Sequence, residues 1–185
     1  VREFLELTDD QAKVYCKGSE EQKVRKIIAD RIGAKSVIDV GCGNGIDATR
    51  YAAWQYCGLD VSPALIKAAQ EMHPNYLFML GRADKKIPFS NRHFDCSIIK
   101  SVLEHVSSIE IVKAIINETI RVTNETLFIA WHTPPGDTVD IRQVEGHFGF
   151  TVHQNKWNRQ DFSTYLERAR SVMHIENFEL WEIKT

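Results

Sequence analysis

The sequence predicts an α/β protein: a doubly wound, mostly parallel sheet with helices on both faces and an antiparallel C-terminal edge. Three observations predict it. Short apolar runs rich in β-branched residues alternate with segments of helical period, as in strand–helix–strand units. The run Val37-Ile38-Asp39-Val40 passes directly into Gly41-Cys42-Gly43-Asn44-Gly45, a strand followed by a glycine-rich turn. The residues able to do chemistry fall at the carboxyl ends of the predicted strands, where open α/β sheets gather their ligands.

Taken in order, residues 1–18 are mixed and poorly periodic. Ser19 to Ile32 reads as a helix with Ser19 as N-cap, Glu20 and Glu21 in the first turn, and Gly33 ending it. Val24, Ile27, Ile28 and Ile32 form its apolar stripe, and Lys23, Arg25, Lys26 and Arg31 a solvated face. Ser36 to Val40 is the first strand. Ile46, Ala48, Tyr51 and Ala52 recur at helical spacing, which predicts a helix opening at the glycine turn, its free N–H groups facing a ligand. Gln55 to Asp60 is the second strand. Ser62 then caps a helix with Pro63 at its first position, broken at His73-Pro74-Asn75. Tyr76 to Leu80, Phe94 to Ser101 and Thr126 to Trp131 are further strands, and Glu110 to Val122 a helix between the last two. Arg159 to Ala169 is a last helix, with Phe162, Tyr165 and Leu166 inward. Val172 to Ile183 holds two short strands around Asn177.

The 185 residues suit one domain, 1–185, with a full core. Hydrophobic content of 43% and charged content of 26% are ordinary for a globular protein. No apolar run is long enough to span a bilayer and no secretory signal pattern is present. Cys16, Cys42, Cys57 and Cys96 lack C-x-x-C spacing, so reduced, mostly buried thiols and a cytoplasmic location are expected rather than a disulfide frame or a zinc site. A net charge of −2 does not indicate a nucleic-acid partner.

The glycine turn narrows the chemistry. A dinucleotide fingerprint wants glycine where Ile46 stands, and the phosphate-loop Gly-Lys-Ser/Thr is absent, which disfavours a nicotinamide-dependent dehydrogenase. Asp39 sits two residues before Gly41. Its carboxylate would repel a pyrophosphate and attract a cationic or amine-bearing ligand. Asp60 follows at the spacing that lets a carboxylate accept from two ribose hydroxyls.

The D-x-G-x-G-x-G arrangement resembles motif I of the class I S-adenosylmethionine-dependent methyltransferases. The resemblance extends from Val37 to about His132 through VIDVGCGNG, GLDVS, GRADKKIPF, FDCSIIKSVLEHV and FIAWHTPP, in family order and spacing. It implies S-adenosyl-L-methionine as cofactor, with Gly41 and Gly43 against its methionine part. It implies Val61 and Ser62 near adenine and ribose, Ala83 and Asp84 at the adenine, and Lys100 and Ser101 lining the cofactor from below. The fourth strand continues as Ile99-Lys100-Ser101-Val102, not as the Asn/Asp-Pro-Pro-aromatic motif of members that methylate exocyclic or amide nitrogens. His105 and His132 are the candidate bases for an acceptor that must lose a proton. Leu-Glu-His is frequent among relatives with different acceptors, so a structural role for His105 stands beside the catalytic one. His147, Phe148, Phe150, His153 and Trp157 fall where the family builds its acceptor pocket; they read equally as an apolar cluster closing the sheet edge. The expected reaction moves a methyl group to an O or N atom of a small or medium acceptor, and no metal is expected. A non-catalytic cofactor-binding relative is one alternative. Another is a metal-assisted RNA 2′-O-methyltransferase, loosely resembled by Glu104, His105, His147 and His153, though Ser101 stands where that family has a glutamate.

Overall fold

The computed structural model describes residues 7–15, 21–33, 35–51, 55–145 and 151–185. Helix α1 (Asp9–Val14) and helix α2 (Gln22–Ile32) precede strand β1 (Ser36–Val40). Strand β2 (Gln55–Asp60), helix α3 (Pro63–Met72), strand β3 (Leu77–Leu80) and strand β4 (Phe94–Lys100) follow. A 3-10 turn (Leu103–His105) leads to helix α4 (Ile109–Val122) and strand β5 (Thr123–Trp131). Strands β6 (Gln143–Glu145) and β7 (Thr151–His153), helix α5 (Ser163–Leu166), and strands β8 (Ala169–Ile175) and β9 (Phe178–Lys184) complete the chain.

The main sheet runs β3-β2-β1-β4-β5-β9-β8. Strands β1 to β5 pair in parallel, and β9 and β8 add an antiparallel edge. Strand order reverses between β1 and β4, so a crevice opens beyond their carboxyl ends. Strand β1 is buried along its whole length, as its apolar run requires. Its alternating side chains feed two cores. Ile38 and Val40 pack with Val112 and Ile116 of α4, while Val37 packs with Val24, Ile28 and Ile32 of α2.

Several elements differ from the sequence reading. The stretch after Gly45 forms successive turns instead of a helix: Gly45 N–H donates to Cys42, Ala48 N–H to Gly45 and Arg50 N–H to Asp47. Ala48 and Tyr51 are buried as their spacing predicts, but Asp47 turns inward to Arg25 and Lys100 and draws the chain with it. The N-terminal segment contains α1, where no periodicity shows because the helix is only six residues long. It is held by a capping box, Gln11 N–H to Thr8 Oγ1 at 3.3 Å and Thr8 N–H to Gln11 Oε1 at 2.9 Å. Ser19 lies outside the described residues; α2 starts at Gln22, and its N-cap Glu21 makes no capping bond because its carboxylate goes elsewhere. Arg25, expected in solvent, is 2% exposed. The predicted helix from Arg159 to Ala169 is a 3-10 turn and the four-residue α5. Arg159 instead reaches Glu179 at 2.6 Å, with its guanidinium 5.7 Å over the Trp181 ring.

Strands β6 and β7 form a two-stranded arm, paired Val144 to Val152, that the sequence did not suggest. Asn155 fastens it. This fully buried side chain donates to Val106 O at 2.7 Å and accepts from Arg142 N–H at 3.2 Å, while its own N–H donates to Glu104 O at 2.7 Å. Asn155→Ala strands the Val106 carbonyl, and the expected cost is about 1–3 kcal/mol in urea unfolding. Faster amide exchange in β6 and β7 than in β1 checks that the arm is what loosens.

Candidate active site

The crevice at the carboxyl edge is a cavity of about 940 Å³. Ligand pockets span roughly 300–1,000 Å³, so it is large enough for two molecules side by side. Asp39, Gly41, Gly43, Asp60, Val61, Ala83, Asp84, Lys100, Ser101, His105 and His132 all line it. Cys42, Cys57 and Cys96 are buried, Cys42 on the cavity wall, and Cys16 falls outside the described residues.

Gly41 has φ +77°, and a Cβ there would sit 2.2 Å from Val102 Cγ2. Only glycine fits that place, so bare backbone faces the cavity. The N–H groups of Gly41, Cys42, Gly43 and Gly45 have partners within the protein, where the predicted helix start left them for a ligand. Gly41 N–H donates to Leu59 O at 2.7 Å, and Gly43 N–H to Asp60 Oδ2 at 2.9 Å. Asn44 reaches back through Nδ2 to Ala12 O and Tyr15 O, which brings Tyr15 onto the cavity wall.

Asp60 accepts from Gly43 N–H and, through Oδ1, from Ser62 N–H at 2.9 Å. Each oxygen keeps a second lone pair for a hydroxyl. Burial raises its pKa despite those backbone bonds. Ser62 caps α3 as predicted, accepting from Leu65 N–H at 3.4 Å. Asp84 is gripped by Arg82, Nε at 2.9 Å and Nη2 at 2.8 Å, and that pairing lowers its pKa. Asp39 is 4% exposed and accepts from the Tyr56 hydroxyl at 2.8 Å. Burial, and then the Asp47 carboxylate, pushes its pKa up to about 7.

Beneath the glycine turn lies a charge network absent from the sequence reading. Arg25 meets Glu21 at 2.8 Å and Asp47 at 3.1 Å. Lys100 meets the same Glu21 and lies 3.6 Å from Asp47. Burial works against the Lys100 charge, but Asp47 and Glu21 outweigh it and hold the ammonium above its ordinary range. Ser101, at φ 53°, donates its hydroxyl to Glu21 Oε1 at 3.2 Å. The Glu21–Arg25 spacing of four on one helix was the only local signal of this cluster.

At the other end, His105 Nδ1 lies 2.5 Å from His153 O. A carbonyl only accepts, so Nδ1 carries the proton and Nε2 of the neutral ring is the acceptor. His132 packs its ring edge-on to Phe178, centroids 5.2 Å apart, and its backbone N–H donates to buried Glu104 at 3.1 Å. Val144, Val152 and Gln154 of the arm close this side. Of its two readings, Trp157 takes the apolar one: it is 4% exposed in the core, with Nε1–H donating to Leu103 O at 3.0 Å. His147, Phe148 and Phe150 lie outside the described residues. Among the described residues no group of three or more His, Cys, Asp or Glu is placed to hold a metal ion, and no helix is long and apolar enough to cross a membrane.

Solved structures share this fold. The PH0226 protein of Pyrococcus horikoshii superposes with a TM-score of 0.71 at 19% identity, over 93% of this chain and 94% of that one. An S-adenosylmethionine-dependent methyltransferase of Mesorhizobium loti gives 0.67 at 14% identity, over 91% and 99%. The 1,6-didemethyltoxoflavin-N1-methyltransferase of Burkholderia thailandensis, solved with 1,6-didemethyltoxoflavin and S-adenosylhomocysteine, gives 0.69 at 12% identity, over 95% and 82%. No curated protein matches the sequence significantly. Residues 37–126 match the family described as methyltransferase domain. That span runs from β1 into β5, just under half of the chain, and together with the shared fold it supports the class I S-adenosylmethionine-dependent methyltransferase family.

Proposed function

We propose that the protein, acting as one domain, moves a methyl group from S-adenosylmethionine to an O or N atom of a small acceptor. The cofactor lies along the arc from Asp39 to Ser101, and the acceptor at His105 and His132. The observation that carries this reading is the convergence of all those residues on one cavity large enough for both molecules. The fit is physical. Gly41 offers backbone with no Cβ to the methionine part, Asp39 a carboxylate to its ammonium, and Asp60 open lone pairs to the ribose. Arg25 and Lys100 stand on the cavity floor where the cofactor's own carboxylate needs a cation.

When bound, the cofactor supplies an activated methyl whose bond to sulfur breaks with its electrons as the acceptor's lone pair takes the carbon. The protein's part is to align and to accept a proton. His105 Nε2 takes the proton the acceptor loses, while the Nδ1–H bond to His153 fixes the ring. Calorimetric titration with S-adenosylmethionine and S-adenosylhomocysteine tests the assignment: micromolar binding of both supports it, and NAD binding in their place overturns it. Asp60→Ala should weaken cofactor binding by about 1–3 kcal/mol, since buried hydroxyls lose a charged partner. Unchanged affinity would move the ribose elsewhere.

Asp39 gives this binding a pH dependence. Its folded pKa of about 7 lies above its ordinary 3.8. Its contribution to stability is therefore complete below the ordinary value and lost as pH rises through about 7. A ligand ammonium beside it favours the ionised form, so binding expels a proton at acid pH. Cofactor affinity should tighten by up to about tenfold per pH unit as the pH rises toward 7, then level off. Titrations in buffers of different ionisation enthalpy read the released proton directly. Affinity that stays flat over this range separates the ammonium from Asp39.

A further inference from the structure

The acceptor half of the cavity has a chemistry of its own, and the identity of its occupant rests on the methyl-transfer reading. Its described walls are the His105 ring, the His132–Phe178 ring pair, and Val144, Val152 and Gln154 of the arm. They are apolar or aromatic bodies with hydrogen-bonding tips. The charges around the whole cavity point the same way. Among the described residues the lining cations besides histidine are Arg25, Arg82 and Lys100, and each already faces a carboxylate: Glu21 and Asp47 for the first and last, Asp84 for Arg82. The lining acids outnumber them, since Asp39, Asp60 and Glu145 stand there as well. Glu145 belongs to the arm itself and makes no ion pair among the described residues. With Arg25 and Lys100 serving the cofactor's carboxylate and Arg82 held by Asp84, an anionic acceptor would enter a field of its own sign with no further lining lysine or arginine among the described residues to meet it. Like charges brought together at a binding site cost several kilocalories per mole, enough to reject a ligand outright.

We propose that the acceptor is an uncharged, ring-sized, largely apolar molecule presenting an N–H or O–H, and that phosphorylated or carboxylated molecules, nucleic acids included, are excluded from this half of the cavity. Ring and valine walls supply the affinity, the arm sets the thickness of the slot, and the acids set the sign.

A matched pair of probes tests this on the full chain saturated with S-adenosylhomocysteine: naphthol and naphthyl phosphate, which share a ring and differ in charge, with a short oligoribonucleotide beside them. Calorimetry should show saturable naphthol binding, naphthyl phosphate at least about tenfold weaker, and no oligoribonucleotide binding at moderate salt. Val144→Lys, on the partly exposed arm, places a cation in the slot; it should narrow or reverse the naphthol preference while S-adenosylhomocysteine affinity holds. The proposal is overturned if naphthyl phosphate or the oligoribonucleotide binds as tightly as naphthol, if naphthol does not bind, or if Val144→Lys leaves the ratio unmoved. Failure of the methyl-transfer reading shows separately, as absent S-adenosylhomocysteine binding in the first titration.

Discussion

His105→Asn is expected to lower kcat by about a hundredfold to ten-thousandfold while leaving the affinity for S-adenosylmethionine within about twofold. The size follows from the role. A positioned base that removes the acceptor's proton acts only as the bond forms, so its loss falls on turnover and not on cofactor binding. Asparagine keeps an N–H able to donate to the His153 carbonyl, so the arm stays fastened while the proton acceptor is gone. The split between turnover and stability separates the two roles open to this residue. With a histidine base, kcat falls while the melting temperature holds. A purely structural His105 gives a variant with a lower melting temperature and a kcat close to wild type for the folded fraction. His132 serves as the internal comparison. Its ring is packed against Phe178, so His132→Asn should cost stability along with activity even though its backbone N–H keeps its bond to Glu104. Equal kinetic losses in both variants with cofactor affinity falling in parallel would remove His105 from the role of base.

What could be read from the chain divides along a physical line. Asp39 and Asp60 were legible because the buried strands β1 and β2 fix where they end, at the crevice, whereas Asp84, four residues beyond the partly exposed β3, came only from the family resemblance. Gly41 was legible because its backbone admits no other residue. Arg25 was not. Its place on α2 reads as solvated, and its burial depends on Asp47 and on the Glu21 it shares with Lys100, which no local pattern connects. The arm was invisible for a related reason. Three residues per strand are too few for alternation to show, and what secures it is one buried amide, Asn155. The turns after Gly45 mark the opposite failure. The helical spacing of Ala48 and Tyr51 was real as a burial pattern, yet the pull of Asp47 toward two buried cations decided the backbone.

The same cluster carries the second large effect, this time on stability. Lys100→Met removes one of two cations that face Glu21 and Asp47 in a nearly closed site. Breaking a buried pair typically costs about 3–5 kcal/mol, because the remaining carboxylate keeps its desolvation penalty without its partner. Arg25 still faces both acids, which places the expected loss near the lower end, about 3 kcal/mol, or roughly 6–12 °C in melting temperature for a chain of this length. Glu21→Gln in the same chain should return part of it, since the stranded charge disappears with the pair. The pH dependence has a definite sign. Glu21 is held below its ordinary value of 4.5, the pull of Lys100 and Arg25 overcoming the larger opposing effect of burial. Its contribution is therefore present above that value and lost as the pH falls through the lowered one. Lys100 is raised, so its share persists across neutral pH and is lost only in strong alkali. Wild type and Lys100→Met should thus differ most near neutrality and converge in acid. The arrangement also ties stability to the ligand. If a cofactor carboxylate meets Arg25 and Lys100 together, saturation with S-adenosylhomocysteine should raise the wild-type melting temperature by more than that of the variant. Equal shifts in both proteins would leave Lys100 as a brace beneath the glycine turn that never touches the ligand.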